Sequence, residues 1–223
     1  MSYIRGSGQV QISSIYTNIH RRVVGPQGKP CFLSGQMHLT VSQMSPIEGA
    51  MTRLNLGCGD KILEGYVNVD VVDERAGATP DISCDITDLS IFEDNYADEI
   101  LAVHVVEHFW RWEVVDVLKE WVRVLCPGGK MILECPNLIS ACEAVLSNPE
   151  LAALPGHEGQ RSMWVLYGDP RWRDPLMTHR WAYTPLSLGQ IMHEAGLTDL
   201  RQEPAQFKLR EPRDMRITGV KPI

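Results

Sequence analysis

Residues 54–70, LNLGCGDKILEGYVNVD, set an apolar run against two glycines and close on a second apolar run that ends in an acid. An aliphatic run stopping at glycine reads as a buried strand whose end must tolerate close approach of backbone or ligand. The pattern repeats downstream: MTRLNLG, GYVNVD, DISCDI and ADEILAVHVV read as four strands and KMILECP as a fifth. Before the fifth, WRWEVVDVLKEWVRVL puts Val114, Leu118, Trp121 and Leu125 on one helical face, and Cys126, Pro127, Gly128 and Gly129 end that helix. SACEAVLSNPELAAL is a helix broken at Pro149, PLSLGQIMHEAGL is another, and LTDLRQEP with DMRITGVK forms a closing antiparallel hairpin. Short apolar strands alternating with helices specify an α/β sheet covered by helices on both faces.

A chain of 223 residues, 44% hydrophobic and 22% charged, is expected to build one domain with its own core. Residues 51–223 form that domain. Residues 1–50, cut by Gly25, Pro26, Gly28 and Pro30, are an N-terminal extension of undetermined role, with VQISSIY and the stretch from Cys31 as its candidate strands. The net charge of −7 disfavours a protein whose task is to coat nucleic acid. The first residues hold no continuous apolar core of a signal peptide, and no stretch has the length of a membrane span. The six cysteines show no paired metal-binding spacing. Reduced core thiols and a cytoplasmic location are expected, with no membrane partner, and homo-oligomerisation is left open.

In an open α/β sheet the ligand sits beyond the carboxyl ends of the strands, where strand order reverses. Gly57 and Gly59 end the first strand of the domain, and Asp70 ends the next, where its carboxylate can accept hydrogen bonds from ribose hydroxyls. A dinucleotide fingerprint would carry a third glycine and open a helix. Here the sequence is GCGDKI, and Asp60 would repel a diphosphate. An adenosine ligand without phosphates fits better.

On these residues the stretch 54–135 resembles the class I S-adenosylmethionine-dependent methyltransferases of the type 11 group, closest to small predicted bacterial and viral members. LNLGCG is similar to that family's first motif, CDITDL to the segment after its third strand, LAVHVVEHF to its fourth-strand motif, and VLCPGGKMIL to the turn and strand that follow. The resemblance implies a Rossmann-like, seven-stranded, mostly parallel sheet with an insertion after strand 5 at residues 137–183. Ten residues between Gly59 and Asp70 leave room for a first helix of about one turn. The resemblance further implies S-adenosyl-L-methionine as cofactor, held by Asn55, Leu56, Gly57, Cys58, Gly59, Asp70 and Val71. Asp85 would approach the adenine amino group, Ile86 would pack on the ring, and His104 would lie near the methionine end.

HVVEH, residues 104–108, matches the inverted zinc-protease signature. It begins inside a strand, so His104 and His108 are not expected to converge on an ion, and no metal ligands are assigned. Glu107 is read as a cap for the next helix. A neutral histidine is the natural base for methylating a hydroxyl, and His108, His179 and His104 are the candidates in that order. Phe109, Trp164, Tyr167, Arg180, Trp181 and Tyr183 are the expected substrate contacts, the last five in an insertion dense in aromatic and ionisable groups. The expected activity is methyl transfer to a small-molecule or saccharide acceptor, oxygen slightly ahead of nitrogen. Two rivals stand beside it: a cofactor-binding or interaction protein that keeps the fold without turnover, and a nucleic-acid or protein methyltransferase.

Overall fold

The structure is a computed structural model that describes residues 51–150, 161–207 and 214–223, together with 23–24, 30–33 and 153. The expected strand VQISSIY lies outside the described residues. Two short N-terminal strands, β1 (Val23–Val24) and β2 (Pro30–Leu33), precede β3 (Arg53–Leu56), β4 (Val67–Asp70), β5 (Ile82–Ser83), β6 (Ala97–Val103), β7 (Leu125–Pro136), β8 (Thr198–Glu203) and β9 (Asp214–Val220). They hydrogen-bond in the order β1-β2-β5-β4-β3-β6-β7-β9-β8. Residues 51–223 thus contribute seven strands, β3 to β7 parallel and β9 antiparallel to β7, which is the expected Rossmann-like sheet. β2 pairs antiparallel with β5, Phe32 opposite Ser83.

The register brings the carboxyl ends of the central strands together. Leu54 lies opposite Val67 on one side and Ile100 on the other, so β3 is flanked by β4 and β6. The chain leaves β3 toward β4 and β5, then returns to the far side of β3 as β6. The strand order therefore reverses between β3 and β6, so Leu56, Asp70 and Val103 end at a topological switch point, where sheets of this kind hold ligands.

Helix α1 (Val114–Val124) buries Val114, Val117, Leu118, Trp121 and Val124 against the sheet. It ends one residue earlier than the periodicity implied, because Leu125 turns extended and opens β7. The CPGG turn is taken into that strand. Helices α2 (Leu138–Ser147) and α3 (Arg161–Tyr167) lie in the segment after β7. Helix α4 (Pro185–Glu194) begins with proline at its first turn, and Thr184 Oγ1 accepts from the Ser187 amide at 3.1 Å while the Ser187 hydroxyl accepts from the Thr184 amide. The expected first helix is reduced to turns between Gly57 and Tyr66. Among the described residues no helix is long and apolar enough to cross a membrane, and Cys58, Cys84, Cys126, Cys135 and Cys142 form no disulfide.

Trp121 is fully buried, and its Nε1–H donates to the Ile86 carbonyl at 2.8 Å. That bond ties α1 to the segment after β5 that carries Asp85 and Ile86. Trp121→Ala is expected to destabilise the fold by about 3–5 kcal/mol through the cavity it leaves. Trp121→Phe should lose about 1–3 kcal/mol by orphaning the Ile86 carbonyl. Urea denaturation of both variants measures the difference.

Candidate functional site

Gly57 and Gly59 both adopt positive φ, +67° and +55°, which is how β3 turns sharply at its end. A Cβ on Gly57 would lie 2.6 Å from Val105 Cγ2 and 3.5 Å from Ile86 Cδ1, so the turn is pressed against the residues that follow β6 and β5. Asp70 closes it: Oδ2 accepts from the Gly59 amide at 2.7 Å and Oδ1 from the Val72 amide at 3.1 Å. Each carboxylate oxygen keeps a further lone pair. Asn68 does the work a helix would have done. Its side chain accepts from the Leu63 amide and Asn55 Nδ2 and donates to the Leu63 and Tyr66 carbonyls, pinning the turn between β3 and β4.

Of the residues expected at the cofactor, Asn55 and Leu56 have buried side chains, and Asn55 donates to Lys61 O and Asn68. They can meet a ligand only through backbone. Cys58 is buried, and burial first, then the nearby Asp70 and Asp81, pushes its thiol up to about 12. Val71 is exposed beside Asp70. Asp85 Oδ1 accepts from the amide and hydroxyl of Thr87, which orients it, and Ile86 is buried at the edge of the core.

Beyond β6 lies a second cluster. His104 has φ +56°, a conformation disfavoured for a side chain of its size, and its amide donates to Glu134 O at 2.8 Å. Its Nε2 is 2.6 Å from Asp214 Oδ2, and its Nδ1 is 3.1 Å from Glu107 Oε1. Burial works against its charge, but the carboxylates of Asp214 and Glu107 outweigh it and hold the ring protonated well above the ordinary histidine range. A ring that keeps its proton donates rather than accepts, which weighs against His104 as a base and gives it a positioning role.

Glu107 is 1% exposed and lies in a 3-10 turn, Val106–His108. It caps no helix; Glu113 is the residue at the start of α1, where its Oε1 accepts from the Trp110 amide. Burial would raise the Glu107 carboxyl, but His104 beside it, then the nearby His179 and His108, hold it well below the usual range. His108 Nδ1 is 3.1 Å from Thr178 O, and His179 Nδ1 is 2.9 Å from Val165 O. A carbonyl only accepts, so both Nδ1 atoms carry the hydrogen and both Nε2 atoms keep a lone pair when the rings are neutral. Burial, the main cause, lowers the His108 pKa and favours that neutral form. The two rings meet edge to face at 4.9 Å.

The expected substrate residues divide. Trp164 and Tyr167 line a cleft of about 530 Å³ together with Asp169, Arg173, Met177 and Thr178. Trp181 is exposed outside this lining, and Arg180 stacks on Trp110 with Glu113 3.6 Å away. Phe109 and Tyr183 are placed differently from expectation. The 3-10 turn directs Phe109 into the core, edge-on to Trp121, and Tyr183, whose backbone pairs with Asn137, is 1% exposed, its hydroxyl without a partner among the described residues. Neither ring opens toward a ligand. Sequence reading missed Val105, Asp214 and Arg75. Arg75 lies against the Gly59 turn, with Nη1 3.1 Å from Met177 Sδ and Nη2 3.6 Å from Asp174, so it links the glycine turn to the cleft.

The sequence profile of the methyltransferase-domain family of type 11 matches residues 54–133. No match is found among curated proteins. Among solved structures, an S-adenosylmethionine-dependent methyltransferase from Archaeoglobus fulgidus superposes with a TM-score of 0.53 at 16% identity, over 78% of this chain and 87% of that one. One from Thermotoga maritima gives 0.51 at 16% identity, over 76% and 82%. An O-methyltransferase family protein from Burkholderia thailandensis gives 0.50 at 15% identity, over 82% and 54%. At such identities the likeness is one of fold. The profile match falls on the stretch from β3 to β7, the parallel strands whose order reverses beside β3.

Gly57→Ala is expected to destabilise by about 1–3 kcal/mol, because the new Cβ meets both a left-handed φ and Val105. The double variant Gly57→Ala, Val105→Ala should lose less than the sum of the single losses, since only the clash is relieved. Chemical denaturation of the four proteins closes that cycle.

Proposed function

We propose that this protein transfers the methyl group of S-adenosyl-L-methionine to a hydroxyl of a small-molecule or saccharide acceptor. The observation that carries the reading is the glycine turn at the reversal of strand order, closed by a buried carboxylate with lone pairs to spare. The residues present fit the cofactor. Asp70 would accept from the ribose hydroxyls, Val71 presents exposed apolar surface beside it, and Asp85 stands oriented at the rim. Asp60, partly exposed on the same turn, disfavours a diphosphate in place of a phosphate-free adenosine.

The cofactor supplies an electrophilic methyl carbon on a sulfonium, open to in-line displacement. Holding an acceptor oxygen in that line is the protein's part. The cleft beside Trp164 and Tyr167 would take the body of the acceptor, aromatic faces suiting a ring or sugar. It reaches Thr178, whose carbonyl orients His108. The Nε2 lone pairs of His108 first and His179 second would receive the acceptor's hydroxyl. His104 holds its own proton and orients Glu107 beneath the pair. Arg180, engaged with Trp110 and Glu113, would steer an acidic acceptor from the rim.

Calorimetric titration with S-adenosylhomocysteine tests the cofactor half. Asp70→Ala is expected to weaken it more than about tenfold, from loss of charge-assisted hydrogen bonds of about 1.5–3 kcal/mol; unchanged affinity would reject the ribose role. His108→Ala should keep that affinity while lowering turnover on any accepted hydroxyl compound by about a hundredfold or more. Tight cofactor binding without product across a broad acceptor panel would favour the rival that keeps the fold without turnover.

A further inference from the structure

Glu107 is 1% exposed, yet among the described residues its Oε2 has no hydrogen-bond partner and its Oε1 meets only the His104 ring, 3.1 Å from Nδ1. One of its oxygens and one ring nitrogen from each of His108 and His179 lie within 4.8 Å of one another. We infer that Glu107, His108 and His179 form a binding site for a divalent first-row transition ion of the zinc, cobalt or manganese kind.

Four features of the cluster converge on an ion. The first is tautomeric. Both imidazoles spend Nδ1–H on backbone carbonyls, Thr178 O at 3.1 Å and Val165 O at 2.9 Å. This is how metal-ligating histidines are oriented, with the lone pair left on Nε2. His179 Nε2 already stands 3.9 Å from Glu107 Oε1. Bonds of about 2.0–2.2 Å to a tetrahedral ion need donor atoms about 3.3–3.5 Å apart, within reach of small side-chain rotations.

The second is rigidity. The Glu107 carbonyl accepts from the amides of Arg180 at 2.8 Å and Trp181 at 3.2 Å, which latches the two ligand-bearing segments together. Gly168 lets them close: a Cβ there would lie 2.2 Å from Met177 O and 3.4 Å from the His179 ring. The third is charge. Glu107 and Asp214 set two buried or half-buried carboxylates on either side of the His104 ring, 3.1 and 2.6 Å from its nitrogens, so acidic groups gather at the cluster. His104, resting between both acids, also orients the Glu107 carboxylate, as ligating carboxylates are commonly oriented.

The fourth is donor type. Two imidazoles with one carboxylate suit zinc or its neighbours, whereas magnesium and calcium prefer oxygen throughout. Three protein ligands leave a position open for water or substrate. The consequence for catalysis rests on the methyl-transfer reading above: with an ion held, His108 and His179 would serve as its ligands rather than as bases, and an acceptor hydroxyl in the open position would be acidified and give its proton to solvent water. The binding itself does not depend on that reading.

The test is titration of the EDTA-treated full chain with Co²⁺ by absorbance, and with Zn²⁺ in competition with a chromophoric chelator. One equivalent is expected to bind the wild type, with visible bands of a low-coordinate cobalt centre. His108→Ala, His179→Ala and Glu107→Gln should each weaken it by more than about a hundredfold, beyond the loss usual for outer-shell partners. His193→Ala, a change on α4 away from the cluster, should leave it unaltered. Near-ultraviolet circular dichroism checks that each variant folds; should Glu107→Gln not fold, the two histidine variants decide. No stoichiometric Co²⁺ binding by the wild type, or binding undiminished in every folded ligand variant, would overturn the site. The same metal-free protein titrated with S-adenosylhomocysteine separates the two ideas. Nucleoside binding without cobalt binding sinks the ion alone, and cobalt binding without nucleoside binding sinks the methyl-transfer reading alone.

Discussion

The ligand end of this sheet depends on a carboxylate at the end of one strand reaching the amide of a glycine just past the end of its neighbour. With no first helix, the turn from Gly57 to Tyr66 lacks the ladder of backbone bonds that would otherwise fix it. Asp70 and Asn68 supply the restraint instead, one holding Gly59 and the other holding Leu63 and Tyr66. Both belong to β4, so the register of β4 against β3 sets the shape of the turn. Val105, packed against Gly57 from the end of β6, fixes it from the opposite side. Three strands thus meet at one glycine.

A second buried carboxylate, Glu107, organises the residues beyond β6. It is surrounded by His104, His108 and His179, and its backbone carbonyl holds the segment that carries His179. Behind it, Glu134 is fully buried and fully engaged, paired with Arg216 at 2.9 Å and accepting from the Gln206 and Phe207 amides. Its carbonyl also receives the His104 amide. Glu134 has strong partners on every side and reads as structure. Glu107 carries no such set of directed bonds.

Much of the sheet was legible before any coordinates, because short apolar runs and their glycine or acidic ends are local signals. The residues at the switch point were legible only where their role is local too. Gly57, Gly59 and Asp70 sit where strand ends must put them. His104 offered no such clue, since the Asp214 that holds its proton is 110 residues away. Phe109 was expected at the ligand because it is aromatic and follows the fourth-strand motif, and Tyr183 because it sits in the aromatic-rich insertion. A 3-10 turn directs one inward, and the other is buried where its backbone pairs with Asn137.

Composition and periodicity by themselves determined an α/β chain with strands, helices and a glycine turn in a fixed order, since each follows from which side chains must leave water and which backbone needs positive φ. Only the tertiary structure decided which ionisable groups share an environment. A proton's place on His104 depends on Asp214, which the pairing of β6 with β7 and of β7 with β9 brings beside it, and the lone pairs left on His108 and His179 are set by the Thr178 and Val165 carbonyls. Electrostatic coupling falls off with distance in space and takes no account of distance along the chain.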